Sequence, residues 1–543
     1  MKSFAWLLLL CLFFSLYLPA QETMDYYWVG FKDKAGTSYS VARPDEFLSR
    51  RAIFRREKQH IPVDQSDLPV SPVYLDGLRN VGATIVHCSK WLNGATIKAD
   101  PAVANAVSGL NYIREIQLSR PGMIAKSAHD KFAREKVTAS IDTSYYGYSV
   151  HQIGQLNGQF LHNNGFQGQG IWIALLDAGY YRADQYAVFG SLWADGRLLR
   201  TRDFVSPGSN VFAEHYHGMS VLSVMAGNLP GVLIGSAPKA SYLLFRTEDV
   251  GSEYLIEEDH WVAAAEYADS LGVDVINSSL GYTRFDDAAM DHTYPDMDGR
   301  TTRVTRGANM AARKGMLVVT SAGNEGNSFW NFIGAPADGD LVIGVGAVNS
   351  QGLKAPFSSF GPASDGDVKP NVAAMGQGTT IQLSNGYIGY GNGTSFSAPV
   401  LAGMAACLWQ ANPEARAADV KLAIEQSASQ YHSPDERLGY GIPDFQLADE
   451  LLKKQNSSGR DEWTAAPNPL QTHVWLYRRD GAPDDEITVR LFRPNGSLVY
   501  EAQFPPANPI YIPNLTNLPA GLYVADICCN NQSARLKLIK SGH

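Results

Sequence analysis

The sequence predicts an α/β fold in which a doubly wound, mostly parallel sheet is preceded by a small α/β unit and followed by a small β-sandwich. Three apolar runs, at 170–177, 272–276 and 316–322, are typical of buried parallel strands that end in a turn. A fourth apolar run, Val400–Trp409, indicates a buried helix. Beyond residue 463, apolar and polar residues alternate and Pro, Asn and Gly separate short segments, which indicates antiparallel strands.

Length and charge limit the classes of function. The chain has 543 residues, which suits two or three domains. Its net charge is −9, from 45 Lys and Arg against 54 Asp and Glu. The chain thus lacks the excess of Lys and Arg that is typical of nucleic-acid-binding proteins, so we expect no nucleic-acid partner.

Residues 1–20 are typical of a secretory signal peptide. One lysine, Lys2, precedes a short apolar segment, and the small residue Ala20 precedes Gln21. A membrane anchor is the alternative, but the segment is short for a bilayer span. We therefore predict cleavage after Ala20 and no transmembrane span in the mature chain.

Residues 21–130 alternate strand-like and helix-like segments without a catalytic set of residues. The segment 26–31 alternates like a strand, and 44–56 has the pattern of an amphipathic helix. We expect the arginines of this helix on a solvated face, with an acidic partner surface as the alternative. They are Arg50, Arg51, Arg55 and Arg56. The polar stretch 120–143, with Lys126, Lys131, Arg134 and Lys136, is predicted to be an exposed, cleavable linker.

Four chemically competent side chains lie at the ends of buried elements. Asp177 ends an apolar strand, at the sheet edge where α/β sites lie. His217 begins a helix, Asn324 lies in a glycine-bounded turn, and Ser395 precedes the buried helix. Free N–H groups there would stabilise an oxyanion, and Pro399 suits the first turn. Taken singly, each residue also has a structural interpretation as a cap or turn residue.

Together these segments resemble the subtilisin-like serine proteases (the subtilase family, peptidase S8) over residues 145–450. The order Asp, His, Ser is that of the family. The resemblance implies that Asp177 orients the imidazole and that His217 is general base and then general acid. It implies that Ser395 is the nucleophile and that Asn324 and the Ser395 backbone N–H hold the oxyanion. The stretch 277–281 matches the edge of the family's cleft, which assigns substrate binding to Ser279, Leu280 and Gly281.

Three positions depart from the family pattern. Ala178 stands where Ser or Thr is usual, Met219 where Thr is usual, and Phe396 where Met is common. None removes a group that the reaction needs, but they keep open an inactive adhesion or scaffold protein with a subtilisin-like fold. A lipase or esterase needs a Gly-x-Ser-x-Gly elbow and the order Ser, acid, His, and Ser395 fits neither requirement.

The flanking segments resemble accessory domains. Residues 21–130 resemble the propeptide of subtilisin-like enzymes, which implies a unit that assists folding and blocks the cleft until it is removed. Residues 463–543 resemble the C-terminal sorting domain of cargo for type IX secretion. The shared segments are Pro467–Pro469, Leu518–Tyr523 and the closing basic strand to Lys540. A carbohydrate-binding or interaction domain is the alternative.

The expected organisation follows from these resemblances. It comprises a signal peptide at 1–20, a propeptide domain at 21–130, a catalytic domain at 131–452, a linker at 453–462 and a sorting domain at 463–543. The partners expected are peptide or protein substrates, the chain's own propeptide and the secretion machinery. The protein is expected to be exported by a Gram-negative bacterium, as a secreted or cell-surface protein.

The sequence gives no clear metal or disulfide motif. The insertion between Leu280 and Gly307 is acidic, and 296–299 partly matches a calcium loop without its spaced acids and distant Glu. We expect a solvated loop there, with no required cofactor and calcium left open. Cys88 and Cys407 are expected to be buried apolar residues, and the redox state of the adjacent pair at 528–529 is left open.

Overall fold

The computed structural model describes residues 24–122, 131–132, 145–457, 463–478, 483, 485–529 and 532–541. The predicted signal peptide at 1–20 and most of the predicted linker at 120–143 lie outside them. Among the helices that the structure describes, none is both long enough and apolar enough to cross a bilayer.

The N-terminal unit is a four-stranded antiparallel sheet with helices. Its strands are β1 (Asp25–Phe31), β2 (Thr84–Ser89), β3 (Gly94–Ala99) and β4 (Ile113–Arg120), in the order β2-β3-β1-β4. Its helices are Arg50–Lys58, Pro72–Asn80 and Pro101–Ser108. The helix predicted at 44–56 begins only at Arg50. Ser49 precedes it and accepts the N–H of Ala52, which caps the first turn.

The central unit is built on a seven-stranded sheet in which every neighbouring pair is parallel. Its strands are β5 (Trp172–Asp177), β6 (Leu198–Asp203), β7 (Asn228–Leu229), β8 (Leu233–Ile234), β9 (Ser241–Arg246), β10 (Val275–Ser278), β11 (Leu317–Ser321), β12 (Ile343–Val348), β13 (Val372–Met375), β14 (Gln377–Gln382) and β15 (Ile388–Asn392). The sheet order is β13-β12-β11-β10-β5-β9-β6, and β7–β8 and β14–β15 are separate antiparallel pairs.

Helices cover both faces of this sheet, which is why its strands, apart from the partly exposed edge strand β6, are nearly continuous apolar runs. They are Val150–Gly154, Gln159–Asn163, Gly190–Ala194, His217–Ala226, Ile256–Leu271, Arg303–Arg313, Thr394–Ala411, Ala417–Gln426 and Phe445–Ser457. From β5 the chain adds β6 and β9 on one side and β10 to β13 on the other. The strand order therefore reverses at β5, and its carboxyl end is where a site is expected in such a sheet.

The C-terminal unit consists of two antiparallel sheets around one core. Its strands are β16 (Trp463–Ala466), β17 (Val474–Arg478), β18 (Ile487–Phe492), β19 (Leu498–Phe504), β20 (Ile510–Ile512), β21 (Gly521–Cys529) and β22 (Gln532–Lys540). The sheet orders are β16-β17-β20 and β19-β18-β21-β22. With the parallel central sheet and the smaller N-terminal unit, this confirms the predicted fold class.

The helix before this unit continues further than composition indicated. Phe445–Ser457 extends into the segment 453–462 that the sequence predicts as a linker. Lys453 Nζ lies 2.6 Å from Asp449 Oδ2 at i,i+4 spacing, a pairing that favours helix. The remainder of the predicted linker, 458–462, lies outside the described residues.

Three of the four arginines predicted on a solvated face contact the central unit instead. Arg55 Nη2 lies 2.5 Å from Asp269 Oδ1, and Arg56 Nη2 lies 2.9 Å from Asp269 Oδ2. Arg51 pairs with Asp274, whereas Arg50 is exposed. The prediction of a solvated face is therefore wrong for these three residues, because the helix lies against an acidic surface of the central unit.

The cysteines differ in their surroundings. Cys407 is fully buried, as predicted. Cys88 is exposed, so the prediction of a buried side chain is wrong there: neighbouring residues of β2 point to opposite faces, and Ser89 takes the buried position. Within the described residues, these two cysteines and Cys528 and Cys529 are all unpaired.

Candidate active site

Asp177 and His217 form a buried pair at the carboxyl end of β5. Asp177 is the last residue of the strand, and His217 is the first residue of the helix His217–Ala226. His217 Nδ1 lies 2.7 Å from Asp177 Oδ1, and both side chains are buried. Because an ionised carboxylate only accepts hydrogen bonds, Nδ1 carries the proton and Nε2 of His217 is left as an acceptor.

Gly218 explains why this helix can approach the strand so closely. A Cβ at position 218 would lie 2.5 Å from the carbonyl oxygen of Gly179 and 2.8 Å from Cβ of Asp177. Any side chain there would move the helix away from β5, and His217 with it. The His-Gly pair in the sequence thus has a packing origin as well as a chemical one.

The carboxylate of Asp177 is only partly satisfied. Its Oδ1 also accepts the N–H of Ala178 at 2.7 Å. Its Oδ2 is buried and makes no hydrogen bond to any residue that the structure describes. Because alanine has no hydroxyl group, Ala178 offers this carboxylate only its backbone N–H.

The helix that carries Ser395 begins at Thr394, earlier than predicted. The expectation that Pro399 lies in its first turn is wrong, because Pro399 lies inside the helix. A proline has no N–H to donate to the carbonyl four residues earlier. The freed carbonyl of Ser395 accepts the hydroxyl of Ser279 at 2.8 Å instead. Ser395 itself occupies the first turn, where backbone N–H groups have no acceptor within the helix.

The predicted substrate-binding residues lie beside Ser395 in one cleft of about 390 Å³. Ser279, Leu280, Gly281, Asn324 and Ser395 all line it. Ser395 Oγ donates to the carbonyl oxygen of Ser279 at 3.3 Å. The ring of the next residue, Phe396, lies 6.0 Å from the imidazole of His217. Phe132, which lines the cleft, also stacks on this imidazole, so the buried pair lies next to the cleft.

Asn324 is exposed to the cleft and is held by its amide oxygen. This oxygen accepts the N–H of Thr394 at 2.8 Å and the hydroxyl of Thr394 at 3.0 Å. With its oxygen engaged, the side chain has its NH₂ group as the end that can donate to a ligand. Asn324 also caps the helix that carries Ser395, and this fixes the two residues relative to each other.

Two residues of the predicted linker also lie in the cleft. The ring of Phe132 stacks on the imidazole of His217, with centroids 4.0 Å apart and 26° between the planes. Lys131 Nζ lies among the carboxylates of Glu248, Glu253 and Glu257. These glutamates were not predicted as functional residues. The signal that the sequence offers, acidic residues near the start of a helix, by itself indicates only a favourable interaction with the helix dipole.

Acidic residues elsewhere have local partners or form one other cluster. In the insertion, Asp287, Asp296 and Asp298 accept backbone N–H groups of nearby turns. Among the described residues, two groups bring metal-type ligand atoms together: the three glutamates above, and Asp340 with Asp367 and His473. Burial raises the pKa of Asp340 to about 7, so this carboxyl group of the second cluster is largely protonated below that pH.

Comparison with known proteins matches two regions of the chain. Residues 168–441 match the Subtilase family, and residues 26–134 match the Peptidase S8 propeptide domain of Bacteroidota. Subtilisin NAT of Bacillus subtilis subsp. natto is 31% identical over 312 residues, or 56% of this chain and 72% of that protein. A subtilisin of Bacillus pumilus is 30% identical over 303 residues, or 54% and 97%. MycP1 of Mycobacterium smegmatis superposes with a TM-score of 0.45 at 21% identity, covering 59% of this chain and 88% of that one.

Proposed function

The chain belongs to the subtilase family, and from this premise we propose that it is an exported serine endopeptidase that uses Asp177, His217 and Ser395. The observation that carries the proposal is the 2.7 Å contact between His217 Nδ1 and Asp177 Oδ1 beside the cleft that Ser395 lines. An aspartate in this position holds the imidazole in the tautomer that a general base requires.

In the proposed acylation step, Ser395 Oγ attacks the carbonyl carbon of a substrate peptide bond while His217 Nε2 takes its proton. Rotation about the Cα–Cβ bond of Ser395 would redirect its hydroxyl from the carbonyl of Ser279 to the imidazole. The negative charge on the carbonyl oxygen is stabilised by the Asn324 NH₂ group and the Ser395 backbone N–H. His217 then gives its proton to the leaving amine as the C–N bond breaks, which leaves an acyl-enzyme.

Deacylation repeats these roles with water. His217 removes a proton from water, the hydroxyl oxygen attacks the ester carbonyl, and the same donors stabilise the second oxyanion. Collapse of this intermediate releases the carboxylic acid product and returns the proton to Ser395. Phe132 covers the imidazole of His217, so substrate entry requires that this residue leave the cleft.

The flanking units support the remaining parts of the proposal. The propeptide domain at the N-terminus favours synthesis as a zymogen, and we infer autoprocessing at a site within residues 120–143. The C-terminal β-sandwich is proposed to direct export by type IX secretion, after a signal peptide at 1–20 has taken the chain across the inner membrane. These steps imply a Gram-negative host and a secreted or surface location.

Labelling with a fluorophosphonate tests the proposed chemistry. We expect the matured protein to be labelled at Ser395 and to hydrolyse casein. Ser395→Ala should lose both properties, keep its unfolding temperature and retain the propeptide covalently. Unchanged casein hydrolysis by this variant would refute the assignment, and a wild-type protein that is neither labelled nor active would favour the inactive scaffold instead.

A further inference from the structure

Three glutamates converge at one end of the candidate cleft. Lys131 Nζ lies 3.0 Å from Glu248 Oε2, 2.6 Å from Glu253 Oε2 and 3.1 Å from both carboxylate oxygens of Glu257. The side chains of Glu248 and Glu257 are 2% and 1% exposed, while that of Glu253 is 21% exposed at the rim. Two carboxylates are thus buried and the third is open to the cleft.

The two buried carboxylates are fixed by the fold rather than by Lys131. Glu248 accepts the hydroxyl of Tyr282, which is itself buried. Glu257 Oε1 accepts the backbone N–H of Asp249 at 2.8 Å. Because these contacts come from the central unit alone, the two buried carboxylates have partners that do not depend on Lys131.

Their electrostatics favour a bound cation. Burial, together with the charges of Glu248 and Glu253, raises the pKa of Glu257 well above its ordinary value. Burial opposes the charged form of Lys131, but the carboxylates of Glu253, Glu257 and Glu248 outweigh it and raise the pKa of Lys131 well above the ordinary value. The charge of Lys131 opposes this rise in the pKa of Glu257. An ammonium or guanidinium group thus favours the ionised form of carboxylates that otherwise repel one another.

Lys131 and its neighbour Phe132 lie in the candidate cleft, where a substrate peptide would bind. Lys131 and Phe132 are consecutive, and Phe132 stacks on the imidazole proposed to act as the base. The same cleft is lined by Lys131, Phe132, Ser279 and Ser395. A peptide that places one side chain over His217 therefore places the preceding side chain at the three glutamates.

We propose that Glu248, Glu253 and Glu257 form a cation-binding subsite that selects peptides with lysine or arginine immediately before the residue packed on His217. This inference rests on the proposed peptidase function and names its substrate class. Lys131 is the chain's own occupant of the subsite. Arginine suits it as well as lysine, because a guanidinium group offers several donors to converging carboxylates.

The test compares fluorogenic peptides that differ only in the residue before a phenylalanine, which is lysine, methionine or glutamate. With matured wild-type enzyme we expect kcat/KM for the lysine peptide to exceed that for the methionine peptide by roughly 30-fold or more, and glutamate to be poorest. In the Glu253→Gln/Glu257→Gln double variant the ratio should fall below about threefold. Because each ratio compares two peptides cleaved by the same enzyme, a change in the overall activity of the double variant does not affect the comparison.

Glu325 provides the matched control, since it lines the same cleft outside the trio. Glu325→Gln should leave the lysine-to-methionine ratio unchanged. Glu253→Lys alters the partly exposed member alone, and should reduce the lysine preference even if the double variant fails to fold. Excess EDTA is expected to leave the preference unchanged. A lysine preference that appears only when EDTA is added would assign the trio to a divalent cation and overturn the subsite.

The outcomes separate this inference from the proposed function. Hydrolysis of the methionine peptide without any advantage for lysine would refute the subsite alone. Equal ratios for wild type and Glu253→Lys would do the same. Absence of fluorophosphonate labelling and of hydrolysis with every peptide would refute the peptidase assignment, and the subsite with it.

Discussion

The contact between the N-terminal unit and the central unit offers a quantitative test at Arg55. Arg55 Nη2 lies 2.5 Å from Asp269 Oδ1, and Asp269 also pairs with Arg56 and with Lys90 at 3.0 Å. Arg55 and Asp269 are 4% and 0% exposed. Burial alone would raise the pKa of Asp269, but Lys90, Arg56 and Arg55 hold it well below the ordinary value. The carboxylate is therefore charged and depends on these cations.

We expect Arg55→Ala to weaken the binding of the cleaved propeptide by roughly 30- to 150-fold. Truncation of one partner of a buried, hydrogen-bonded charge pair costs about 2–5 kcal/mol. Asp269 keeps two of its three cations, so the lower part of this range, about 2–3 kcal/mol, applies, and about 1.4 kcal/mol corresponds to tenfold.

The assay follows peptide hydrolysis after serial dilution of the autoprocessed complex, where the half-inhibition point gives the dissociation constant. Arg50→Ala is the matched control, because Arg50 lies on the same helix and is exposed. It should change this constant less than about twofold, as surface charges do. Equal constants for the Arg55 and Arg50 variants would contradict the buried-pair reasoning.

Three further predictions concern the oxyanion, pH and export. Asn324→Ala should lower kcat by roughly 100-fold with little change in KM, as steady-state kinetics of the matured enzyme can show. The expected loss of transition-state stabilisation, about 3 kcal/mol, is the value known for the oxyanion donor of subtilisin. Burial lowers the pKa of His87, which contacts the Phe204 carbonyl at 3.0 Å, to about 4. Release returns this pKa to about 6.5, so the propeptide should bind more weakly as the pH falls from about 6.5 to about 4. His87→Leu should remove roughly 20-fold of the change in the dissociation constant measured between pH 7 and pH 5. Truncation after Gly459 should retain active enzyme in the periplasm if the β-sandwich directs export. Normal export with altered substrate affinity would instead indicate a binding module. Peptidase activity measured in the periplasmic and extracellular fractions distinguishes the two outcomes.

Much of the fold was predictable because its signals are local. The strand that ends at Asp177 and the alternation after residue 463 depend only on residue type and period, and the structure contains both features. The sequence placed Ser395 at the N-terminus of its helix, where the structure also has it, but Pro399 was assigned to the first turn and lies in the helix interior. Only the contact from Ser279 to the carbonyl of Ser395 explains how the helix tolerates a proline in its interior.

The sequence by itself determined which reactive groups the chain carries: a carboxylate, an imidazole, an alcohol and an amide, each at the end of a predictable element. Tertiary structure alone decided which charges meet. Lys131 and Glu248 are 117 positions apart, and Arg55 and Asp269 are 214 apart. Lys131, which was predicted to lie in an exposed linker, lies among three glutamates. Arg55, which was predicted to be solvated, is buried against Asp269. No local pattern encodes such pairs, because they arise where separately folded surfaces pack together and exclude water.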